Sequence, residues 1–425
     1  MTARPAPPWR MVLEPYVLSS LRIILAAIVM ALMAKVALAA DKGETPIAWP
    51  QWRGPTRDSV VPDPGLSWDW KAKPPLEVWK KSVGTGFSSI VVGNGRAYTL
   101  GNDEAEDTVH CLDAGTGELI WKHAYPAALQ PNLYEGGPNA TPALDGESVY
   151  TVSKFGRIFC LDAATGKVRW SRDAAKDPGC PPPKWGVAGS PLIYRDLVIF
   201  NLGAAGLALH KATGEVAWKS ASKPCGYATP VVFDSGRGKA IGIYGNTELV
   251  AVDPVDGRQL WSYPWANPAK VNAPDPVFTG NNVFLGAGSD RGCALIQIGK
   301  GDPRLIWKNA NLSTHASTPL VFDNCVYGFN GPMATCELRC LDLSDGSIKW
   351  KTPIGGTFFI VGHTTLILST TGELIAGDMS PAGFKELARQ SILNGKCWTM
   401  PSLAGTRLYA RNARGGVVCI ELPTK

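Results

Sequence analysis

The chain has 425 residues, 45% of them hydrophobic and 18% charged, with a formal net charge of +6. That balance excludes extended disorder and leaves ample apolar material for a large core. With 46 glycines and 34 prolines punctuating short β-type runs, the composition points to an all-β fold, and the modest charge carries no nucleic-acid signature.

At the N-terminus, Arg4, Arg10 and Arg22 precede an apolar run from Ile23 to Met33, and small residues follow, ending Ala37-Leu38-Ala39-Ala40. This is the layout of a secretory signal peptide cleaved after Ala39. The apolar run has 11 residues, short of the roughly 17 to 25 that a spanning helix needs. Residues 1–39 are therefore predicted to be removed, leaving no stable membrane span. Removal takes four basic residues and one acidic residue and lowers the formal charge from +6 to +3. No Cys follows the small residues to carry a lipid. The expected location is the periplasm or the extracellular space, where disulfides are permitted. Residues 40–70 read as an N-terminal extension packing on the domain that follows, 71–425.

Beyond the extension the sequence repeats. Asp113-Ala-Gly-Thr-Gly117 leads to Trp121, Asp162-Ala-Ala-Thr-Gly166 to Trp170, Asp253-Pro-Val-Asp-Gly257 to Trp261, and Asp342-Leu-Ser-Asp-Gly346 to Trp350. A fifth copy ends in Gly214 and Trp218, with His210 in place of Asp. Asp can accept hydrogen bonds from amides two or three residues on, and Gly supplies the left-handed conformation of a bulged hairpin turn. Each turn joins an apolar strand such as Arg157 to Leu161 to a shorter one such as Lys167 to Trp170, whose alternation is expected to put Val168 and Trp170 on one face. The Trp is predicted to be a wedge between neighbouring sheets, contributing about 1.5–3 kcal/mol by burial.

A second hairpin precedes this one, opening at Thr141-Pro142, Ser190-Pro191, Thr229-Pro230, Thr318-Pro319 and Met400-Pro401, where the missing N–H does little harm. Four strands per repeat result. Trp79, Trp121, Trp170, Trp218, Trp261, Trp307 and Trp350 bound repeats of 42 to 49 residues, the period of propeller blades. A seventh repeat, Thr352 to Leu387, lacks the Trp and is expected to turn at Gly377 to Gly383. An eighth, Ala388 to Leu422, lacks its fourth strand, which Pro75 to Trp79 can supply. The fold class predicted is an eight-bladed β-propeller of four-stranded antiparallel blades, closed by pairing of its N- and C-terminal strands.

These repeats resemble the pyrroloquinoline-quinone-like propeller family, shared by quinoprotein dehydrogenases and by the non-catalytic propeller of the outer-membrane β-barrel assembly machinery. The segment Trp49-Pro-Gln-Trp-Arg-Gly-Pro55 is similar to an opening signature of exported proteins of this class. The resemblance implies the eight-bladed ring and does not by itself imply a cofactor. Quinoprotein alcohol dehydrogenases stack the quinone against a disulfide of two adjacent cysteines. This chain has no Cys-Cys dipeptide, no Cys-x-x-Cys-His haem motif and no zinc pattern.

Candidate ligand contacts are the residues just ahead of the first strands: Asn139, Lys184, Trp185, Tyr227, Asp275, His315 and Trp398. Two roles fit them, a lining for a small polar ligand or extended peptide and a plug filling a narrow channel. Calcium would need carboxylates near the channel, where candidates are few; Asp275, just ahead of Pro276 at a first strand, is a candidate ligand or base. Cys111, Cys160, Cys340 and Cys419 recur at one repeat position and read as buried apolar thiols. Cys180 with Cys225, and Cys325 with Cys340, are candidate disulfides.

The function expected is a non-catalytic binding or scaffold module of the bacterial cell envelope, monomeric, without a resident cofactor, offering one face to an envelope protein or a small polar ligand. The alternative is a dehydrogenase-like oxidoreductase with an atypical site, which would bring pyrroloquinoline quinone and calcium. A polysaccharide-acting enzyme finds no paired carboxylates in its support.

Overall fold

The computed structural model describes residues 48–131, 134–289, 291–299 and 301–425, so the predicted leader, 1–39, lies outside it. Each repeat forms one antiparallel sheet, and eight such sheets make an eight-bladed β-propeller. Blade 1 runs Val91–Gly93, Arg96–Asn102, Glu106–Asp113 and Leu119–Pro126. Blades 2 to 6 open at Ala143, Leu192, Val231, Val277 and Leu320, and blade 7 at Gly356. The first strands of neighbouring blades approach one another, which places them around the central channel. Blade 8 takes Ser402–Ala404, Arg407–Arg411 and Gly416–Glu421 from the C-terminus and Leu76–Ser82 from the N-terminus, paired Leu76 to Glu421 and Ser82 to Gly416. The expected closure is present, and no outer edge of the split blade is left without its strand.

The repeat motif works as a lock between blades. Asp113 Oδ1 accepts from the amides of Gly115 and Thr116 at 2.9 and 2.8 Å, and Asp162 does the same for Ala164 and Thr165. The turn glycines have φ between +70° and +74° at Gly117, Gly166, Gly214, Gly257 and Gly346. They serve a second purpose. A Cβ on Gly166 would stand 2.6 Å from the Trp121 ring, and the other four turns press on the preceding blade's Trp in the same way. Six of the seven indoles donate Nε1 to a carbonyl of the next blade's turn: Trp79 to Ala114, Trp121 to Ala163, Trp170 to Lys211, Trp218 to Pro254, Trp307 to Leu343 and Trp350 to Ser380, at 2.7–3.1 Å. Tyrosines on the second strands reinforce the lock, since the hydroxyls of Tyr98 and Tyr409 donate to the same carbonyls of Ala163 and Ala114.

Two expectations change. Val168 and Trp170 do not share a face, because a β-bulge falls between them, leaving Val168 44% exposed while the indole turns inward. In blade 7 the last strand runs to Ser391, past the boundary expected at Leu387, and Gly377 lies inside a strand, the turn being Pro381-Ala382. The blade keeps the bulge, but Ala388 stands where the Trp would be. The reason is topological. An indole packs on the turn joining the last two strands of the next blade, and blade 8 has no such turn because its outer strand arrives from the other end of the chain. Trp68 and Trp70 of the extension share the core around Ala388 instead, and Gln390 Nε2 donates to the Pro75 carbonyl at 3.0 Å.

All ten cysteines are buried free thiols. The four at the repeated position sit in the blade cores as expected; burial pushes Cys111 and Cys340 up to about 12 and Cys419 to about 11. Cys180 and Cys225 share one core cluster, as do Cys325 and Cys340, yet the bridges considered from the sequence are not formed. Burial raises the thiols of Cys180, Cys225 and Cys340, which favours the protonated form over the thiolate that exchange chemistry needs.

Candidate functional site

Two positions before the first strand in each of blades 1 to 6 stands a polar residue, and these six form a chain of hydrogen bonds. The amide of Ser89 donates to Thr141 Oγ1, Thr141 to Ser190 Oγ, Ser190 to Thr229 Oγ1, Thr229 to Asp275 Oδ1, and Asp275 to Thr318 Oγ1, at 2.7–3.1 Å. The prolines that follow five of these residues mark strand starts in the sequence. The preceding hydroxyls, unremarked there, tie each blade to the next.

Asp275 is the exception in this girdle, a carboxylate among hydroxyls, and its second oxygen has a separate use. Trp52 Nε1 donates to Asp275 Oδ2 at 2.8 Å, and Arg53 Nη1 lies 3.9 Å from the same oxygen. Arg53 also donates Nε to Ser59 Oγ at 2.9 Å. Both charged groups are buried. Burial pushes the Asp275 carboxyl up and the Arg53 guanidinium down, and each opposes the shift of the other.

The segment carrying Trp52 crosses the end of the channel. Trp49 makes a two-way bridge with Val92 of blade 1, Pro50 accepts from Leu144 of blade 2, and Arg57 donates to the Ile193 carbonyl of blade 3. Val60–Val61 then lies parallel to Ile360 and Val361 of blade 7. The expected opening signature is thus a plug. It separates a cavity of about 600 Å³ on its own side from one of about 210 Å³ at the opposite mouth, Trp52, Thr229 and Asp275 being walls of both.

The smaller cavity is ringed by aromatics from consecutive blades. Trp398 stacks on Phe87 at 6.0 Å, Phe87 meets Tyr134 at 5.7 Å, and Tyr134 meets Trp185 at 6.4 Å. Tyr227 continues the arc, its hydroxyl accepting from the Trp185 amide at 3.3 Å. Three ammonium groups cap it: Lys154 over Tyr134 at 5.1 Å, Lys184 over Trp185 at 5.1 Å, and Lys396 over Trp398 at 4.3 Å. Glu135 pairs with Lys396 at 2.8 Å, so the mouth retains a positive excess. Of the residues expected here, Asn139, Tyr227, Asp275 and Trp398 line the cavity. Trp185 stands behind Tyr134, while Lys184 and His315 are exposed and outside the lining, the imidazole lying against Gly288. Trp52, Phe87 and Tyr134 are lining residues that sequence reasoning passed over. Trp52 stood in the signature that was noticed, but nothing local placed it in the channel.

A closed ring of eight four-stranded blades, with an N-terminal segment crossing its channel and an aromatic, lysine-capped mouth, defines the class as an eight-bladed β-propeller. The family described as outer membrane protein assembly factor BamB matches residues 105–352, and the chain belongs to this pyrroloquinoline-quinone-like propeller family. It is 27% identical over 296 residues to the outer membrane protein assembly factor BamB of Yersinia pestis, covering 64% of this chain and 72% of that one. It is 29% identical over 195 residues to a quinoprotein ethanol dehydrogenase of Pseudomonas aeruginosa, covering 41% of this chain and only 31% of the enzyme. Among solved structures, BamB from Moraxella catarrhalis superposes with a TM-score of 0.60 at 17% identity, over 82% of this chain and 100% of that one. The quinohemoprotein alcohol dehydrogenase of Comamonas testosteroni gives 0.64 at 15% identity, over 89% and 81%. These last two likenesses are of the fold.

The channel residues do not fit a quinone with a calcium ion. Asp275 is the one carboxylate lining the smaller cavity, and both its oxygens already accept hydrogen bonds. No cysteine lines either cavity, and among the described residues no group of three or more His, Cys, Asp or Glu is placed to hold a metal. Nor is any helix of the described residues long and apolar enough to cross a membrane.

Proposed function

We propose that this protein is a non-catalytic binding propeller of the bacterial cell envelope, exported by its leader and working without a resident cofactor, which holds an envelope protein or a small polar ligand at its aromatic mouth. The observation that carries this reading is the chain's own Trp52, which stands as a wall between the two cavities and is hydrogen-bonded to the one carboxylate lining the smaller of them. A mouth of half-buried aromatics and ammonium groups suits recognition, since such rings offer apolar faces with little entropy to lose.

The dehydrogenase relatives keep a second reading in view, an oxidoreductase with an atypical site. The two separate in one experiment. The purified protein is mixed with pyrroloquinoline quinone and Ca²⁺, passed through a desalting column and scanned for quinone absorbance, then assayed for dye-coupled alcohol oxidation. No retained chromophore and no turnover are expected. In parallel, material retained from an envelope extract by the immobilised protein should fall at least about tenfold with Trp398→Ala, as for the loss of an aromatic anchor. Retained quinone with alcohol-dependent dye reduction would replace the binding reading with the enzymatic one.

A further inference from the structure

The larger cavity, on the plug side of the channel, has a regularity that points to its occupant. In every blade but the fourth the first hairpin closes through a two-residue turn, and the residue just before the closing pair turns its backbone N–H and C=O away from its own sheet, toward the channel. In blade 1 this is Val92, bonded in both directions to Trp49. In blade 2 it is Leu144, whose amide donates to Pro50 O, and in blade 3 Ile193, whose carbonyl accepts from Arg57. In blade 7 it is Ile360, donating to Ser59 O at 2.8 Å, with Gly362 donating to Val61 O at 2.8 Å. The plug therefore satisfies the inner edges of four blades by running past them as extended chain.

The equivalent residues of blades 5, 6 and 8 are Phe278, Val321 and Leu403, and Phe278 and Val321 are the two that line the larger cavity. Among the described residues, no backbone or side chain pairs with their outward groups. Both are half-buried and both line the cavity of about 600 Å³, whose remaining walls include Val231, Val277, Phe322 and Met379. The volume lies within the range of a specific ligand site. What is left open is a piece of sheet edge over a floor that combines these apolar side chains with Arg57, Asp58, Asp323 and His363, beside a strand, Val60–Val61, that already shows in the same ring how such an edge is filled.

We propose that this cavity is a second recognition site, which takes a short extended peptide of a partner protein, with apolar side chains at alternate positions, by strand addition to the inner edges of blades 5 and 6. Backbone groups of Phe278 and Val321 supply register, and Val231, Val277, Phe322 and Met379 receive every second side chain. The site is separate from the aromatic mouth, across the Trp52 plug, and stands whether or not the mouth binds anything.

The test uses the full chain and linear heptapeptides displayed on phage. Selected sequences are expected to alternate apolar residues and, as synthetic peptides, to slow hydrogen exchange at the Phe278 and Val321 amides. Val321→Pro removes one outward N–H at an edge strand, where proline is tolerated, and should weaken binding at least about tenfold, the loss of a hydrogen bond together with its alignment. Trp398→Ala, at the other mouth, should leave affinity unchanged. Absence of any enriched sequence, equal affinity for a folded Val321→Pro variant, or exchange protection confined to the Phe87 and Trp398 mouth would each overturn the proposal. Should Val321→Pro fail to fold, the exchange pattern on the unaltered chain decides.

Discussion

Asp275 does two jobs that one substitution can separate. Its Oδ1 continues the girdle by accepting from Thr229, and its Oδ2 anchors the plug through Trp52 and the nearby Arg53. Thr229 and Thr318, its neighbours in the girdle, do the first job with a hydroxyl. Asp275→Thr should therefore keep the girdle and release the plug. Losing a hydrogen bond to a charged acceptor costs about 1.5–3 kcal/mol, and a buried Arg53 deprived of its carboxylate adds to this, the usual cost of stripping such a charge being about 3–5 kcal/mol. Relief of the burial that pushes the Asp275 carboxyl up offsets part of the loss, and Arg53 keeps Ser59 Oγ. A net destabilisation of about 2–4 kcal/mol is expected. Asp275→Ala should cost about 1–3 kcal/mol more, because the buried Thr229 amide then lacks an acceptor. Urea unfolding gives the totals, and amide exchange across residues 49–61 shows where the loss falls, with early opening of that segment in Asp275→Thr. If that variant unfolds within about 0.5 kcal/mol of the parent, with 49–61 still protected, the plug is not held by Asp275 and the division of labour is wrong.

Gly166→Ala places a Cβ 2.6 Å from the Trp121 ring at a backbone φ of +73°; a loss of about 2–4 kcal/mol is expected from denaturation, strain and displaced indole together, and a loss no larger than that of an exposed Gly→Ala change would remove the indole–turn lock. Deleting residues 71–79 strips most of the outer strand from blade 8 and should produce aggregation in size-exclusion chromatography and a lower melting temperature; a monodisperse, unshifted protein would refute closure by the N-terminal strand. Asp107 is buried, with Oδ2 unpartnered, and burial pushes its carboxyl up to about 6 from 3.8. The native state then binds the proton more tightly than the unfolded chain, so this group's stabilisation is present below about pH 4 and lost as pH rises through about 6. Asp107→Asn should remove that dependence and raise stability at pH 7 by up to about 3 kcal/mol; parallel pH–stability curves for parent and variant would contradict the assignment.

The candidate site was legible in the sequence only in fragments. Asn139, Tyr227 and Trp398 were recognisable as mouth residues because they precede strand starts that proline marks. Asp275 was visible for the same reason, but its meaning was not. Read as a possible metal ligand or base, it is an anchor for an indole 223 residues away in the chain. Lys184 and His315 satisfied the same local rule and yet fall outside the cavity lining, Lys184 reaching the mouth only as a cover on Trp185, since a strand start fixes the level of a residue in the ring and leaves the direction of its side chain to the loop around it. Phe87 and Tyr134 carried no signal, being single aromatics in loops without a marked strand start.

The sequence by itself determined the number of blades, the position of the locking indoles and the way the ring closes. Each of these is encoded within about ten residues, in a turn whose Asp and Gly have fixed conformational roles and whose Trp follows at constant spacing. Even the missing Trp of blade 7 was visible, though its reason was not. That reason needed the closed ring, in which blade 8 alone lacks the turn an indole would pack on. The plug, the carboxylate that holds it and the uncovered edges of blades 5 and 6 were likewise settled only in three dimensions. They depend on which blades the extension happens to cross, a relation between distant segments that no local period records.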